Sequence, residues 1–240
     1  MARKGGSKVL KRYAAPPAMQ VVSVKEKKFI AVPEPGPHRF KMSLPLLVLV
    51  RDLLKLAETS REAKHIISRS MILVDGVARA SYKFPVGLMD VVSVREINKH
   101  YRILVDEKGV LTPVEIPQEE ASMKICRVNR KYLYKGRLRL TTEDGRTFEA
   151  EDHSMNIGGS LLVKIPEGTI VDKTPLAEGN SAYVFMGKHA GTIGIVKTAS
   201  ESSLLRDSMV TLILSDGSEV STLRDYVMIV GREKPWLKLF

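Results

Sequence analysis

Short β-type segments separated by turn signals fill the second half of the chain, and this pattern constrains its fold more than any other feature. Strands are predicted near residues 101–105, 110–116, 123–128, 137–142, 146–150 and 160–165, with a turn at Asp144-Gly145. The segments "YVFM", "IGIVK", "MVTLIL" and "YVMIV" continue the pattern toward the C-terminus, with a turn at Asp216-Gly217. Strands this short and this closely spaced predict two small β barrels.

Two helices are predicted ahead of these strands. The first covers about residues 44–57, with Ser43 as its N-cap and Pro45 in the first turn. Thr59 and Glu62 have capping-box spacing and start the second helix, "REAKHIISR". Helical periodicity places four residues on its predicted core face, Ala63, Ile66, Ile67 and Ser70, and four on the other, Arg61, Lys64, His65 and Ser68. The second face is either solvated or contacts phosphates, and its charge alone leaves both interpretations open.

A hairpin is predicted after the second helix. The run "MILVDGVARA" passes through Asp75-Gly76, a dipeptide that favours a two-residue turn because glycine adopts positive φ easily. The later segment "DVVSV" adds another strand. Two helices followed by a hairpin therefore form one predicted unit.

The positive charge of the chain is concentrated at its N-terminus. The net charge is +11, and residues 1–41 hold ten Lys/Arg against two Asp/Glu, a net of +8. Five prolines interrupt any apolar periodicity in this segment, which predicts an extended arm that orders against a partner. A polycationic arm binds polyanions, either nucleic acid or an anionic membrane surface. The arm is not expected to be an organelle-targeting signal, because Gly5, Gly6, Pro16 and Pro17 would break the amphipathic helix that import requires.

Several classes of site and protein are disfavoured by composition. Cys126 is the single cysteine, so no internal disulfide forms and an intracellular protein is expected. The five histidines lack metal-binding spacings, and we expect neither a metal site nor a cofactor. The longest apolar run, "LPLLVLV", is far shorter than the roughly 20 residues that span a bilayer. The tyrosines and phenylalanines are scattered along the sequence, so no aromatic stacking platform is predicted.

The glycine-rich stretch "GKHAGTIGIV" raises the possibility of a phosphate-binding loop. Neither the P-loop pattern nor the dinucleotide fingerprint fits, because Lys188 directly follows the first glycine and a β-type segment follows where a helix would begin. The stretch instead predicts a turn between two strands. Gly191 and Gly194 are then expected where φ is positive or where another backbone approaches closely.

Two parts of the sequence resemble known modules. Residues 59–94, "TSREAKHIISRSMILVDGVARASYKFPVGLMDVVSV", resemble the alpha-L RNA-binding module at Ser60, Arg61, Ala63, Ile67, Val74, Gly76 and the Asp90-Val91 pair. Two departures are that Ser70 or Met71 stands where a glycine commonly follows the helix, and that "GLMD" separates Gly87 from Asp90. The stretch "GKHAGTIGIV" resembles a KOW motif, in which the glycine matching Gly194 kinks a strand of an SH3-like barrel.

The order of segments along the whole chain is similar to the small-subunit ribosomal protein family S-four-e of archaea and eukaryotes. The segments that carry this resemblance are "MARKGGSKVLKRYAAP", "PGPH", "YKFPVGLMDVVSV" and "YVMIVGREKPWLKL". It implies an α+β, mostly β fold with a basic extended arm (1–41), an alpha-L module (42–100), a central small β domain (101–174) and a C-terminal KOW SH3-like barrel with a tail (175–240). The ending "KPWLKLF", without the longer basic tail of eukaryotic members, favours an archaeal form.

The resemblance implies a structural constituent of the cytoplasmic small ribosomal subunit. Its expected partners are small-subunit rRNA and neighbouring ribosomal proteins, with no membrane, no small-molecule substrate and no homo-oligomer. The residues expected to contact RNA are Arg3, Lys4, Lys8, Lys11, Arg12, His38, Arg39, Ser60, Arg61, Lys64, His65, Arg69, Lys83, Lys188 and His189. Gly76, Gly191 and Gly194 are expected to shape turns, and Trp236 is expected to pack the chain end rather than stack on a base.

Two other functions remain as alternatives at this point. A free KOW-type transcription or translation factor would share the same modules. An RNA-modifying enzyme is a further alternative, since alpha-L modules are appended to pseudouridine synthases and other RNA enzymes. That class needs a positioned acid, base or nucleophile, and the sequence offers no His/Asp/Ser or Cys/His constellation. No enzyme activity is therefore expected.

Overall fold

The computed structural model describes residues 9–21, 25, 28–150, 154–200 and 208–239. Within these residues the chain is mostly β. The strands are β1 (Leu10–Lys11), β2 (Phe29–Ile30), β3 (Ser43–Pro45), β4 (Ile72–Val74), β5 (Val77–Ala78), β6 (Pro85–Gly87), β7 (Val91–Val94), β8 (Lys99–Val105), β9 (Leu111–Ile116), β10 (Met123–Tyr134), β11 (Arg137–Thr142), β12 (Thr147–Ala150), β13 (Ser160–Lys164), β14 (Thr169–Thr174), β15 (Ser181–Val184), β16 (Ile193–Ala199), β17 (Met209–Leu214), β18 (Glu219–Leu223) and β19 (Val227–Gly231).

Two longer helical segments and several single 3₁₀ turns complete the described fold. The helical segments are α1 (Leu46–Val48), which continues as a wider π turn (Leu49–Leu53), and α2 (Ser60–Ser68). The 3₁₀ turns are Arg12–Ala14, Pro17–Met19, Phe40–Met42, Gln118–Ser122 and Arg224–Tyr226.

Three five-stranded antiparallel sheets form the body of the described chain. Their strand orders are β5-β4-β7-β8-β9, β12-β11-β10-β13-β14 and β18-β17-β16-β15-β19. Every strand predicted from the sequence lies in these sheets, and β14 and β18 are additional. The first sheet extends across the predicted boundary between residues 100 and 101, which lies inside β8. The division into domains therefore stays a prediction.

Strand β10 divides its pairing between two neighbours. Its first half, Met123 to Arg127, pairs with β13, and its second half, from Val128 to Tyr134, pairs with β11. The register with β11 shifts between Val128 and Arg130, which marks a β-bulge. A bulge bends its strand, so β10 leaves the core there and continues as a hairpin with β11.

The prediction for the first helix is wrong about its first residue and its N-cap. The backbone of Ser43 pairs with Gly87 in the β3–β6 ladder, so it is extended and does not cap a helix. The helix begins at Leu46, its cap residue is Pro45, and no side chain caps it. Every residue from Leu44 to Val50 is buried, because this apolar run lies inside the core rather than on an amphipathic surface helix.

The second predicted helix is confirmed, including its capping box. Thr59 Oγ1 accepts a hydrogen bond from the Glu62 amide at 3.3 Å, and Glu62 Oε2 accepts from the Thr59 amide at 3.3 Å. Ala63 and Ile67 are fully buried, as predicted. Ser70 does not share that helical face, because it lies beyond the end of α2 with φ of 59°.

The main apolar core joins all three sheets. It includes Ile67 from α2, Ile103 from β8 and Ile125 from β10. Tyr183 and Met228 of the last sheet also belong to it. The Tyr183 hydroxyl accepts a hydrogen bond from the Val105 amide at 2.9 Å, which ties the last sheet to the first. Smaller apolar clusters lie within the second and third sheets. These contacts hold the three sheets in fixed positions relative to one another.

Candidate nucleic-acid interface

The outer face of α2 is a basic surface held on a fixed helix. Arg61, Lys64 and His65 are exposed, and Arg69 is exposed at the C-cap. The capping box fixes the start of the helix, and the buried Ala63 on its inner side fixes its rotation. The charged side chains therefore point to solvent, where phosphate groups can reach them.

The basic surface of α2 continues onto the loop between β5 and β6. Lys64 Nζ lies 4.3 Å from the centre of the Tyr82 ring, and Lys83 Nζ lies 5.6 Å from the same ring. A cation over an aromatic ring is held in place without losing its charge. Arg61, Lys64, His65, Arg69 and Lys83 together are called the helix face below.

Ser60 is held by Arg51 at the start of α2. The guanidinium of Arg51 donates to Ser60 Oγ at 2.6 Å and to both carboxylate oxygens of Asp52 at 2.7 and 2.6 Å. The hydrogen bond from Arg51 to Asp52 raises the pKa of Arg51 against the opposing effect of burial. Ser60 thus connects the two helical segments, and its own hydroxyl proton remains able to donate.

The predicted arm is packed against the body over part of its length, which corrects the expectation that it orders only against a partner. Ala15, Ala18, Met19 and Ile30 are buried in the main core, because the arm supplies apolar side chains despite lacking a periodic pattern. Removing residues 1–41 would therefore expose apolar core surface as well as remove charge.

The basic residues of the arm lie in different environments. Lys11 and Arg39 are exposed, whereas Arg12 is only 4% exposed. Arg3, Lys4 and Lys8 lie outside the described residues. Lys11 and Arg39 are thus the predicted arm contacts that the described structure presents to solvent.

His38 is occupied by a partner inside the protein. Its Nε2 lies 2.8 Å from Asp90 Oδ1, and its side chain is only 9% exposed. A Cβ on Gly87 would lie 2.3 Å from the ring, so this close stacking requires glycine there. Because Nε2 is engaged by Asp90, a phosphate contact by His38 would have to use Nδ1.

A buried ionic cluster joins the first and second sheets next to His38. Lys124 Nζ on β10 lies 2.6 Å from Asp90 Oδ1 and 2.7 Å from Asp75 Oδ2. Asp144 Oδ2 lies 3.3 Å from the same ammonium, and Arg146 Nη2 lies 2.7 Å from Asp75 Oδ2. We call these five residues the junction cluster. It fixes the Asp75-Gly76 hairpin against the β11–β12 turn.

The charges of the junction cluster shift the pKa values of its members. Burial alone would lower the pKa of Lys124, but Asp90 and Asp75 outweigh it and hold that pKa well above its ordinary value. Burial would raise the pKa of Asp90, but His38 and Lys124 lower it overall. Burial would raise the pKa of Asp144, but Lys124, Thr142 and Arg146 together lower it overall. The ammonium and these two carboxylates are therefore ionised at neutral pH.

Sequence reasoning missed the structural role of the junction cluster. The available signal was Lys124 within "MKICRV", a charged residue flanked by the apolar Met123 and Ile125. Such a residue is buried only when it is paired. Its partners lie 34 and 49 residues away in sequence, so spacing alone does not identify them.

The predicted glycine turns are confirmed, with two different causes. Gly76 and Gly191 have φ of 76° and 83°. A Cβ on Gly191 would also lie 2.7 Å from the backbone of Asp106, so this turn packs against the first sheet of the same chain. Gly194 does not have positive φ, but a Cβ there would lie 2.7 Å from the Ile213 carbonyl oxygen. Its role is close backbone approach.

The two basic residues of that turn differ in exposure. Lys188 is exposed and His189 is half-buried, with its carbonyl accepting a 2.7 Å hydrogen bond from Thr192 Oγ1. Trp236 is half-buried and packs against the main core. Among the described residues no His, Cys, Asp and Glu cluster could hold a metal, and no helix is long and apolar enough to cross a membrane.

Comparison with known proteins identifies the family. The small ribosomal subunit protein eS4 of Methanococcus vannielii is 41% identical over 248 residues, and the match covers 100% of both chains. The chain belongs to the eS4 family. The eS4 protein of Korarchaeum cryptofilum is 40% identical over 242 residues, again with 100% of both chains covered. A family model described as Ribosomal family S4e matches residues 97–170.

A solved structure of the eS4 family has a similar fold. The crystal structure of the 30S ribosomal protein S4e from Thermoplasma acidophilum matches with a TM-score of 0.69 and 33% identity. The match covers 80% of this chain and 96% of that chain. The mostly β arrangement of this chain, with several sheets and few helices, matches that structure.

Proposed function

We propose that the chain is a structural constituent of the small ribosomal subunit, where it binds rRNA and contacts neighbouring ribosomal proteins in the cytoplasm. The observation that carries this proposal is the full-length 41% identity to a protein named for that subunit. The helix face gives it a physical basis, because exposed cations on a rigid helix neutralise phosphates.

The modules named by resemblance fit this role. Residues 42–100, with α2 followed by the Asp75-Gly76 hairpin, serve as the alpha-L module. Residues 101–174 form the central β domain, and residues 175–240 form the KOW SH3-like barrel. The close approach of Gly194 to Ile213 supports the last assignment, since that glycine matches the KOW position.

Binding through the helix face relies on phosphate, 2′-hydroxyl and shape contacts. Side chains do not enter the deep major groove of an RNA duplex, so charged groups on a convex helix meet the backbone. The exposed residues of the helix face that carry this role are Arg61, Lys64, His65 and Arg69, supported by Lys83, and the exposed Lys11, Arg39 and Lys188 add contacts outside that face. Ser60 and His189 adjoin Arg61 and Lys188 in sequence. Arg3, Lys4 and Lys8 add positive charge near the N-terminus, which also carries Lys11.

The alternatives receive no support from the comparisons. The relatives reported above carry the name of a ribosomal protein, not of an enzyme or a free factor. The role proposed here needs no cofactor, no small-molecule substrate and no second copy of the chain. Contacts with the RNA itself supply the binding energy.

Cofractionation tests the proposal. Ribosomal subunits from the source organism would be washed in high salt and separated on a sucrose gradient, with the chain followed by immunoblot. The expected result is that the chain stays with small subunits at constant stoichiometry, while a loosely bound translation factor used as a control is released. Release of the chain into the free fraction would overturn the proposal.

A further inference from the structure

The hairpin formed by β10 and β11 carries a second basic surface. Its sequence from Arg130 to Arg139, "RKYLYKGRLR", contains five Lys/Arg and no Asp/Glu. The turn residues Lys135 and Gly136 have φ of 50° and 75°, as in the tight turns that favour regular hairpins. The hairpin therefore presents a charged sequence on a regular β ladder.

The two faces of the hairpin differ in chemistry. Tyr132 is paired with Arg139 and Tyr134 with Arg137, so these four side chains lie on one face. Arg130 shares that face because side chains alternate along a strand. The opposite face contributes Leu138 and Leu140 to the core of the second sheet. Arg130, Tyr132, Tyr134, Arg137 and Arg139 are called the hairpin face.

The aromatic rings of the hairpin face are open to solvent. Tyr132 is 41% exposed and Tyr134 is 46% exposed. They stand two residues apart on one strand, a separation of roughly 7 Å. The Arg139 guanidinium lies 4.5 Å from the centre of the Tyr134 ring, so it adds a second planar group. Tyr132 and Tyr134 therefore form a small exposed aromatic surface within the otherwise scattered aromatic residues.

The charge of the hairpin face is only partly neutralised. Glu149 on β12 accepts from Arg137 at 3.0 Å and from Arg139 at 3.1 Å, so one carboxylate serves two guanidinium groups. Arg130 makes no ion pair with any residue that the structure describes. Lys135 adds a further positive charge at the turn. The face therefore remains positive.

An open depression lies at the foot of the hairpin. It has a volume of about 660 Å³ and is lined by residues that include Arg130, Tyr132, Thr141 and Ile157. The bulge in β10 shapes it, since that is where the strand leaves the core. Its size falls in the range of sites that hold a small ring system. It gives a nucleobase space beside the Tyr132 ring.

We propose that the hairpin face binds a single-stranded segment of rRNA. Unpaired bases stack on Tyr132 and on the Tyr134–Arg139 pair, while phosphates meet Arg130 and Lys135. Duplex RNA presents no free base faces, so exposed tyrosines on a strand select unpaired nucleotides. This inference rests on the proposed function and adds a site distinct from the helix face.

The test uses the full chain, fluorescence anisotropy and two labelled RNAs: an unstructured oligoribonucleotide of about 12 nucleotides and small-subunit rRNA. The double variant Y132A/Y134A should weaken oligonucleotide binding roughly 5- to 100-fold. Y132F/Y134F retains both rings and should bind like the wild type. E149Q removes the neutralising carboxylate and should bind more tightly.

The control variant is I195A, which truncates a side chain that is 47% exposed on β16 in another sheet. It should bind the oligonucleotide like the wild type, and circular dichroism should show that all variants are folded. Two results would overturn this inference alone. In the first, Y132A/Y134A binds the oligonucleotide as the wild type does. In the second, that variant loses only binding to an acidic ribosomal protein. Failure of the wild type to bind small-subunit rRNA would overturn the proposed function as well.

Discussion

Lys124 Nζ lies 2.6 Å from Asp90 Oδ1, and each of the two side chains is only 2% exposed. Lys124 is the second residue of β10 in the second sheet, while Asp90 directly precedes β7 in the first, so this pair joins the two sheets. Asp90 Oδ2 also accepts from the Gly87 amide at 2.9 Å. The relative placement of the helix face and the hairpin face depends on this buried contact.

Replacing Lys124 with methionine should lower the free energy of unfolding by about 3–5 kcal/mol, because buried carboxylates are left without their cation. Urea denaturation of the full chain measures this. K124M/D90N should recover part of that stability, since one uncompensated charge is then removed. Equal stability of K124M and the wild type would contradict the role given to the junction cluster.

Acid should destabilise the protein through Asp90 and Asp144. Both have a lowered pKa in the folded state, so their stabilising contribution is present above the ordinary pKa of about 4 and disappears as the pH falls below it. Unfolding free energies measured in urea from about pH 5 downward should decrease steeply below pH 4. The decrease should be smaller in D144N. Identical pH profiles for D144N and the wild type would contradict this assignment.

A β-branched residue at Gly194 should strain the last sheet. A Cβ there would lie 2.7 Å from the Ile213 carbonyl oxygen, so G194V requires the β16–β17 ladder to shift. We expect the free energy of unfolding to fall by roughly 1–3 kcal/mol, measured by thermal or urea unfolding. The matched control T198V changes an exposed position on the same strand and should stay within about 0.5 kcal/mol of the wild type. Comparable stability for both variants would refute the close-approach role.

Glycine at position 70 should stabilise the chain. Ser70 follows α2 with φ of 59°, a conformation that is unfavourable by roughly 1–2 kcal/mol for residues with a Cβ. S70G should therefore raise the unfolding free energy by about 1 kcal/mol. S68G, at the last residue of α2, should lower it by about 0.5 kcal/mol because glycine disfavours the helical backbone that Ser68 adopts. Changes of the same sign in both variants would contradict this explanation.

Local sequence signals predicted the elements whose cause is local. The Thr59–Glu62 capping box and the Asp75-Gly76 turn each depend on residues within a few positions of one another, and both are confirmed. Except for β14 and β18, the strands of the second and third sheets follow from alternating apolar residues and turn dipeptides.

Elements that depend on distant contacts were misjudged. Ser43 is extended because it pairs with Gly87, and the sequence near Ser43 does not contain that information. His38 stays a predicted RNA contact, but the sequence did not reveal its hydrogen bond to Asp90, which lies 52 residues away. Arg137 and Arg139 lie beside Tyr134 and Tyr132 because of the β10–β11 register, which the sequence alone does not reveal.

The central claim is that the helix face neutralises rRNA phosphates, and the salt dependence of binding tests it most directly. The affinity of the full chain for small-subunit rRNA would be measured across a salt series for the wild type, R61A/K64A and the control K164A/K197A. Both control lysines are about half exposed and lie on other sheets, paired with glutamates. R61A/K64A should reduce the slope of log K against log salt by about 0.7–0.9 for each phosphate that is no longer neutralised, while the control keeps the wild-type slope. An unchanged slope for R61A/K64A would contradict the claim and leave α2 a solvated surface.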